Sequence, residues 1–318
     1  MELKKVLKFL VFAAIGGLIF YFIQKSFNFK DFLINIKNAN LFLVFCGTLT
    51  GVLAVFIRAL RWQLMLTPLG YKTNLANSYH SIMSGYLVNL GIPRSGEVYR
   101  CAVFSKTDKV PVNTLIGTVF SERIIDLLML ALVLFSSVML QFDLLFNYIN
   151  ENVLSRFKSN NSIFILIALL LIGGIGLLLV SKKLGGKSKL GNIIQGFITG
   201  IKSVFSIQKP FLFIIYTIAI WLCYLMMTYF VIIAFDFSAY LGIGGSLSSL
   251  VFSTLGVIIP APAGIATIGS IQLGLTQIYA FTTQHASAIA IVMFFSNLGM
   301  IIISGTISFI YMAFKTKI

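Results

Sequence analysis

Apolar residues run through this chain in long, nearly unbroken stretches rather than in alternation or narrow helical stripes. The clearest cover residues 6–24, 41–60, 112–140, 162–180, 210–235 and 286–314. A stretch of about 20 apolar residues matches the thickness of a bilayer core. Backbone exposed to lipid must satisfy its own hydrogen bonds, so each run predicts a helix. The pattern predicts an all-α, polytopic membrane protein with about six full spans.

Two further stretches are interrupted. Residues 75–92 carry Ser78, Ser81, Ser84, Gly85 and Asn89 and end in Gly91-Ile92-Pro93-Arg94-Ser95-Gly96-Glu97. Residues 241–284 are broken by Ile259-Pro260-Ala261-Pro262-Ala263-Gly264. Proline removes a backbone donor and stops a helix. The polar groups left at such a break are tolerated at membrane depth only inside protein or beside a wet cavity. Both stretches therefore read as re-entrant helical hairpins, each entering and leaving on one side; two ordinary spans with proline kinks are the alternative. With hairpins, the order span, span, hairpin, span occurs twice, in residues 1–150 and 151–318. Three spans per half would insert the halves upside down relative to each other. Matching interrupted segments in two halves are the sequence sign of a transporter's binding site.

Composition agrees with the pattern: 58% of residues are hydrophobic and 10% charged, against about 25% charged in soluble domains. The 24 Lys and Arg against 9 Asp and Glu give a net charge of +15. Clustered on a soluble face, such a surplus would suggest nucleic acid; here it sits in short connections, so no nucleic acid partner is expected. Lys4, Lys5 and Lys8, the stretch from Arg58 to Lys109, the lysines of 181–209, and Lys315 with Lys317 fall on one side of six spans. Basic loops stay cytoplasmic, which predicts both termini inside at the cell's inner (plasma) membrane. The run 6–24 ends without a small-residue cleavage site and reads as an uncleaved first span. Cys46, Cys101 and Cys223 have no paired spacing, and His80 and His285 stand alone. Neither a disulfide framework nor a metal site is expected, and no cofactor.

The informative charges lie where charge is expensive. Ser121-Glu122-Arg123-Ile124-Ile125-Asp126 falls inside the run 112–140, placing Glu122 about 15 Å and Asp126 about 21 Å into that helix. Glu122 and Asp126 share a face at i and i+4, with Arg123 three residues before Asp126. A charge at a helix centre costs about 2.5–3.5 kcal/mol on insertion scales, so the trio needs partners or water; a first turn resting in the aqueous interface is the alternative. Arg58 and Arg61 end the second run beside Trp62, where arginines serve either as interface anchors or as ligands. Arg94, Glu97 and Arg100 surround the first break and are placed to meet Glu122 and Asp126. Arginine's planar fork suits phosphate or carboxylate. Residues 237–314 contain no charged side chain and many Gly, Ser and Thr, which favours close helix packing, with backbone dipoles near Pro262 and Gly264 as a second use.

Arg58-Ala59-Leu60-Arg61-Trp62, Ile92-Pro93-Arg94-Ser95-Gly96-Glu97-Val98-Tyr99-Arg100, Ser121-Glu122-Arg123-Ile124-Ile125-Asp126 and Pro262-Ala263-Gly264-Ile265 resemble, in order, the motifs of the lysylphosphatidylglycerol synthase transmembrane-region family. The resemblance covers nearly the whole chain. It implies a flippase-like integral membrane protein that moves a lipid or lipid-linked headgroup between leaflets. Members that aminoacylate phosphatidylglycerol carry a soluble catalytic domain after the membrane part. These 318 residues hold none, so lysyl-lipid synthesis, and enzyme activity generally, are not expected. The family's glycine-rich break commonly carries an acid shortly after it; here Ala263, Ala266 and Gly269 depart from that pattern.

The combined expectation is translocation of a membrane lipid with an anionic headgroup. Arg58, Arg61, Arg94, Glu97, Arg100, Glu122, Arg123, Asp126, Pro262 and Gly264 are the substrate-contacting candidates. A subunit assisting a lipid- or glycosyl-transferase, and an intramembrane transferase, are the competing classes. A homo-oligomer or a transferase partner stays open.

Overall fold

A computed structural model describes residues 37, 39–92, 94–142, 203–258 and 264–316. The expected spans 6–24 and 162–180, together with Pro93 and Pro262, lie outside the described residues. Eight α-helices and three short 3-10 turns make up the described regular structure. The helices are α1 Leu41–Leu66, α2 Leu75–Gly91, α3 Gly96–Asp108, α4 Val112–Leu140, α5 Pro210–Ile232, α6 Gly242–Ile258, α7 Ala266–Tyr279 and α8 Thr283–Thr316. Chain contacts divide the protein into two units, Met1–Lys109 with Ile207–Ile318, and Val110–Ser206.

The helix starts follow from local chemistry. Asn40 caps α1 by accepting from Phe42 N and Leu43 N at 3.1 and 3.3 Å. Asn74 caps α2 through Ala76 N and Asn77 N at 2.8 and 3.3 Å. A capping amide of this kind contributes about 1 kcal/mol. Pro210 opens α5 at a position where its missing N–H is no loss. α3 and α7 end in left-handed residues, Lys109 at φ 58° and Ala280 at φ 54°, which closes the last turn without continuing it.

By length and composition, five described segments suffice to cross a membrane: Leu41–Leu69, Val112–Leu140, Pro210–Ile232, Ala239–Val257 and Thr283–Thr316. The protein is an all-helical integral membrane protein. Four of these segments are the expected runs 41–60, 112–140, 210–235 and 286–314, with bounds moved by a few residues. The fourth segment in chain order, Ala239–Val257, belongs to the second interrupted stretch. Without its leading 3-10 turn, α6 has 17 residues and spans about 26 Å, and α7 has 14 and about 21 Å.

Both interrupted stretches fold as antiparallel helix pairs in the first unit. At the tip of α2–α3, Gly96 N donates to Asn89 Oδ1 at 2.6 Å, and a Cβ on Gly85 would lie 2.8 Å from Gly96 O. At the opposite end Asn77 Nδ2 donates to Asp108 Oδ2 at 2.9 Å. In α6–α7 a Cβ on Gly256 would lie 2.5 Å from Thr267 Cα, and Tyr279 OH donates to Ser248 Oγ at 2.8 Å. The sequence reading placed the first hairpin within residues 75–97 and did not foresee that Gly96–Asp108 form a full helical limb.

Long helices hold these pairs. α1 packs antiparallel on α5: Gly47 lies against the Met227 backbone and Phe230, while Arg61, near the other end, reaches Thr217. α8 runs along α2 through Gly305 against Met83 and Leu87 and Ser308 against His80. An apolar core joins Val231 and Ile232 at the end of α5, and Phe235 just beyond it, to Ile268, Ile271 and Leu275 of α7 and to Ala286, Ile289 and Phe294 of α8. The 268, 271, 275 spacing is one helical face.

Candidate functional site

Three arginines of the first unit are withdrawn from solvent: Arg58 is 3% exposed, Arg61 0% and Arg100 2%. The interface-anchor alternative for the first two is therefore overturned, since an anchoring arginine extends its head to water. α1 carries Arg58, Arg61 and Trp62 at i, i+3 and i+4, so the three share a face. α5 presents Thr217, Trp221 and Tyr224 at i, i+4 and i+7, likewise one face. The antiparallel packing of the two helices brings the stripes together.

The arginines are oriented by hydroxyls and rings. Arg58 Nη2 donates to Tyr224 OH at 3.2 Å. Arg61 Nη1 donates to Thr217 Oγ1 at 3.4 Å, and its guanidinium lies 5.8 Å from the Phe213 ring centre. Thr217 in turn donates to Phe213 O at 2.8 Å, so its lone pairs are what face Arg61. Arg100 comes from α3 and places its guanidinium 4.9 Å from the Trp62 ring centre, a cation–π distance. Trp62 packs on Phe104 with ring centres 4.8 Å apart. The cluster thus joins α1, α3 and α5 around three buried guanidiniums. Desolvated in this way, each guanidinium interacts more strongly with an anion than it would in water.

Around the first break the candidates differ in setting. Arg94 is exposed and sits in left-handed backbone at φ 64°, an uncommon conformation for a side chain of this size. Glu97 lies in the first turn of α3, where the helix dipole favours a carboxylate. Its Oε2 is buried and accepts no hydrogen bond among the described residues. Ser95 Oγ donates to Ile92 O at 2.7 Å across the turn.

In the second unit, α4 carries the acidic–basic trio. Glu122 is fully buried. Arg123 Nη1 lies 3.7 Å from Asp126 Oδ2, with their side chains 45% and 14% exposed. The i, i+3 pairing foreseen from the spacing is present.

The second break contributes less polar chemistry. Gly264 has φ 74°, which a side chain would strain. Ser246, Thr254, Ser270 and Thr276 donate to carbonyls one turn back in their own helices. His80 is bonded to Ser308 Oγ at 2.9 Å and lies 4.1 Å from the Tyr311 ring centre, and His285 stacks on Phe237. Sequence reasoning missed Thr217, Trp221 and Tyr224, although their spacing on an apolar helix was a readable stripe. It also missed Asp108, which accepts from Asn74 N at 2.8 Å, Asn77 Nδ2 at 2.9 Å and Thr107 Oγ1 at 2.6 Å.

The chain is similar in sequence to known membrane proteins. UPF0104 membrane protein MJ1595 of Methanocaldococcus jannaschii is 28% identical over 92 residues, 28% of this chain and 27% of that protein. The match thus spans about a quarter of that relative's length. UPF0104 membrane protein MJ1078 of the same organism is 26% identical over 224 residues, 70% of this chain and 92% of that protein. No solved structure gives a significant match. The lysylphosphatidylglycerol synthase TM region matches residues 6–305. That interval takes in both broken helix pairs, the buried arginines and the charged face of α4, and the chain belongs to the lysylphosphatidylglycerol synthase transmembrane-region family.

Proposed function

We propose that this protein moves a lipid with an anionic headgroup between the leaflets of the cytoplasmic membrane, with both termini on the cytoplasmic side. The observation that carries the reading is the burial of Arg58, Arg61 and Arg100 in one unit. Buried ionisable side chains in membrane helices mark substrate pathways because their insertion is costly. The repeated order span, helix pair, span over α1–α4 and α5–α8 supports two equivalent halves. The antiparallel packing of α1 on α5 supports their opposite insertion. In this reading the α2–α3 and α6–α7 pairs re-enter the membrane and border the path, and the step is transfer without covalent chemistry.

The test is reconstitution in vesicles with fluorescent phospholipids and a membrane-impermeant quencher. Wild-type protein accelerates exchange of phosphatidylglycerol, and Arg58→Gln or Arg61→Gln slows it by about tenfold or more, the loss of a charge-assisted hydrogen bond. If wild type and variants leave exchange of every lipid class at the protein-free rate, the reading fails.

A further inference from the structure

Trp221 offers a hydrogen bond that nothing described in the protein takes up. Its side chain is 6% exposed, and Nε1 has no acceptor among the described residues. Indole nitrogen can only donate, and a buried donor without a partner is uncommon enough in folded proteins to require a reason. Position supplies one. Trp221 lies on the α5 face between Thr217 and Tyr224, the residues that hold Arg61 and Arg58, and its ring meets that of Tyr224 edge-on at 6.1 Å.

We propose that α1 and α5 form a phosphate-binding pocket in which the Trp221 indole N–H and the Arg58 and Arg61 guanidiniums bind one phosphate group. The three side chains bring only donors, two of them cationic. A group of acceptors with negative charge and more than two oxygens can take a bond from each of the three. A phosphodiester fits, because its oxygens point in different directions and receive donors arriving from two helices. Thr217 and Tyr224 act as positioning residues, since they accept from the arginines and fix where the forks point. The pocket deepens the translocation reading by naming the part of the headgroup that is held; that its phosphate comes from a lipid rests on that reading.

The experiment uses the full-length protein in dodecyl maltoside, a phosphate-free detergent, with 15N-labelled tryptophan. The chain has two tryptophans, so two indole resonances appear, assigned with Trp62→Phe and Trp221→Phe. Dihexanoyl phosphatidylglycerol should move the Trp221 indole proton downfield and saturably, and phosphate-free dihexanoylglycerol should not. Trp221→Phe keeps an aromatic ring, though a smaller one, and deletes the N–H; it should weaken phosphatidylglycerol binding by about tenfold in calorimetry. If that variant does not fold, the wild-type titration still decides. A shift with sodium phosphate but not with the lipid upholds the pocket and counts against lipid translocation. An equal shift with dihexanoylglycerol, or none with either phosphate compound, overturns the pocket; vesicle exchange that persists in that case leaves translocation standing.

Discussion

The two broken helix pairs share a plan and differ in what holds them. In α2–α3 the tip is a backbone contact between Gly85 and Gly96 and the far end is a carboxylate, Asp108, accepting three hydrogen bonds. In α6–α7 the close contact is Gly256 on Thr267, and the far end carries a neutral bond from Tyr279 to Ser248. The first pair carries Arg94, Glu97 and Arg100; the second lies in a 78-residue stretch, 237–314, without any charge. One scaffold thus serves two purposes. The first pair brings charge to the buried cluster, whereas the hydroxyls of the second mostly bond back to their own helices and leave its surfaces free to pack.

The comparison can be broken at the tips first. A Cβ on Gly96 would run into the Gly85 carbonyl and the Asn89 side chain, so Gly96→Ala should destabilise by about 3 kcal/mol, the upper end for overpacking. Gly256→Ala should act alike, and thermal denaturation in detergent measures both. A tolerated Gly96→Ala would show that the two tips are not equivalent. Next come the far ends. Asp108→Ala removes a charged acceptor and should lose about 1.5–3 kcal/mol, whereas Ser248→Ala should lose about 0.5–1.5 kcal/mol. Equal losses would erase the distinction between a charged clasp and a neutral one. The smallest effect belongs to Gly269→Ala on α7, where an added Cβ meets nothing within 4 Å; it should change stability by no more than about 0.5 kcal/mol.

Much of the fold was legible because lipid imposes a simple rule: a run of apolar residues long enough to span must become a helix. The run 112–140 coincides with α4. The breaks at Pro93 and Pro260–Pro262 marked the hairpins, because proline acts locally. The limb 96–108 escaped notice because half its residues are polar, and its helix depends on partners, Asn74 and Asn77, that lie about thirty residues away. The site was legible on one side only. Arg58, Arg61 and Arg100 stood out as charges in apolar surroundings, whereas Thr217, Trp221 and Tyr224 are unremarkable in a membrane helix until α1 lies against them. Chain spacing shows which residues share a face but not which face they meet.

The contact between Gly85 and Gly96 has a mechanical consequence. Backbone meets backbone there, so sliding α2 past α3 would drive main-chain atoms and the Asn89 side chain into one another. The pair should therefore behave as one stiff unit. The chain leaves helical geometry beyond its two ends, at Gly70 with φ 83° and at Lys109 with φ 58°. Under the proposed translocation, a covalent staple across the two limbs should leave lipid exchange running, and one that pins Lys109 to α8 should stop it.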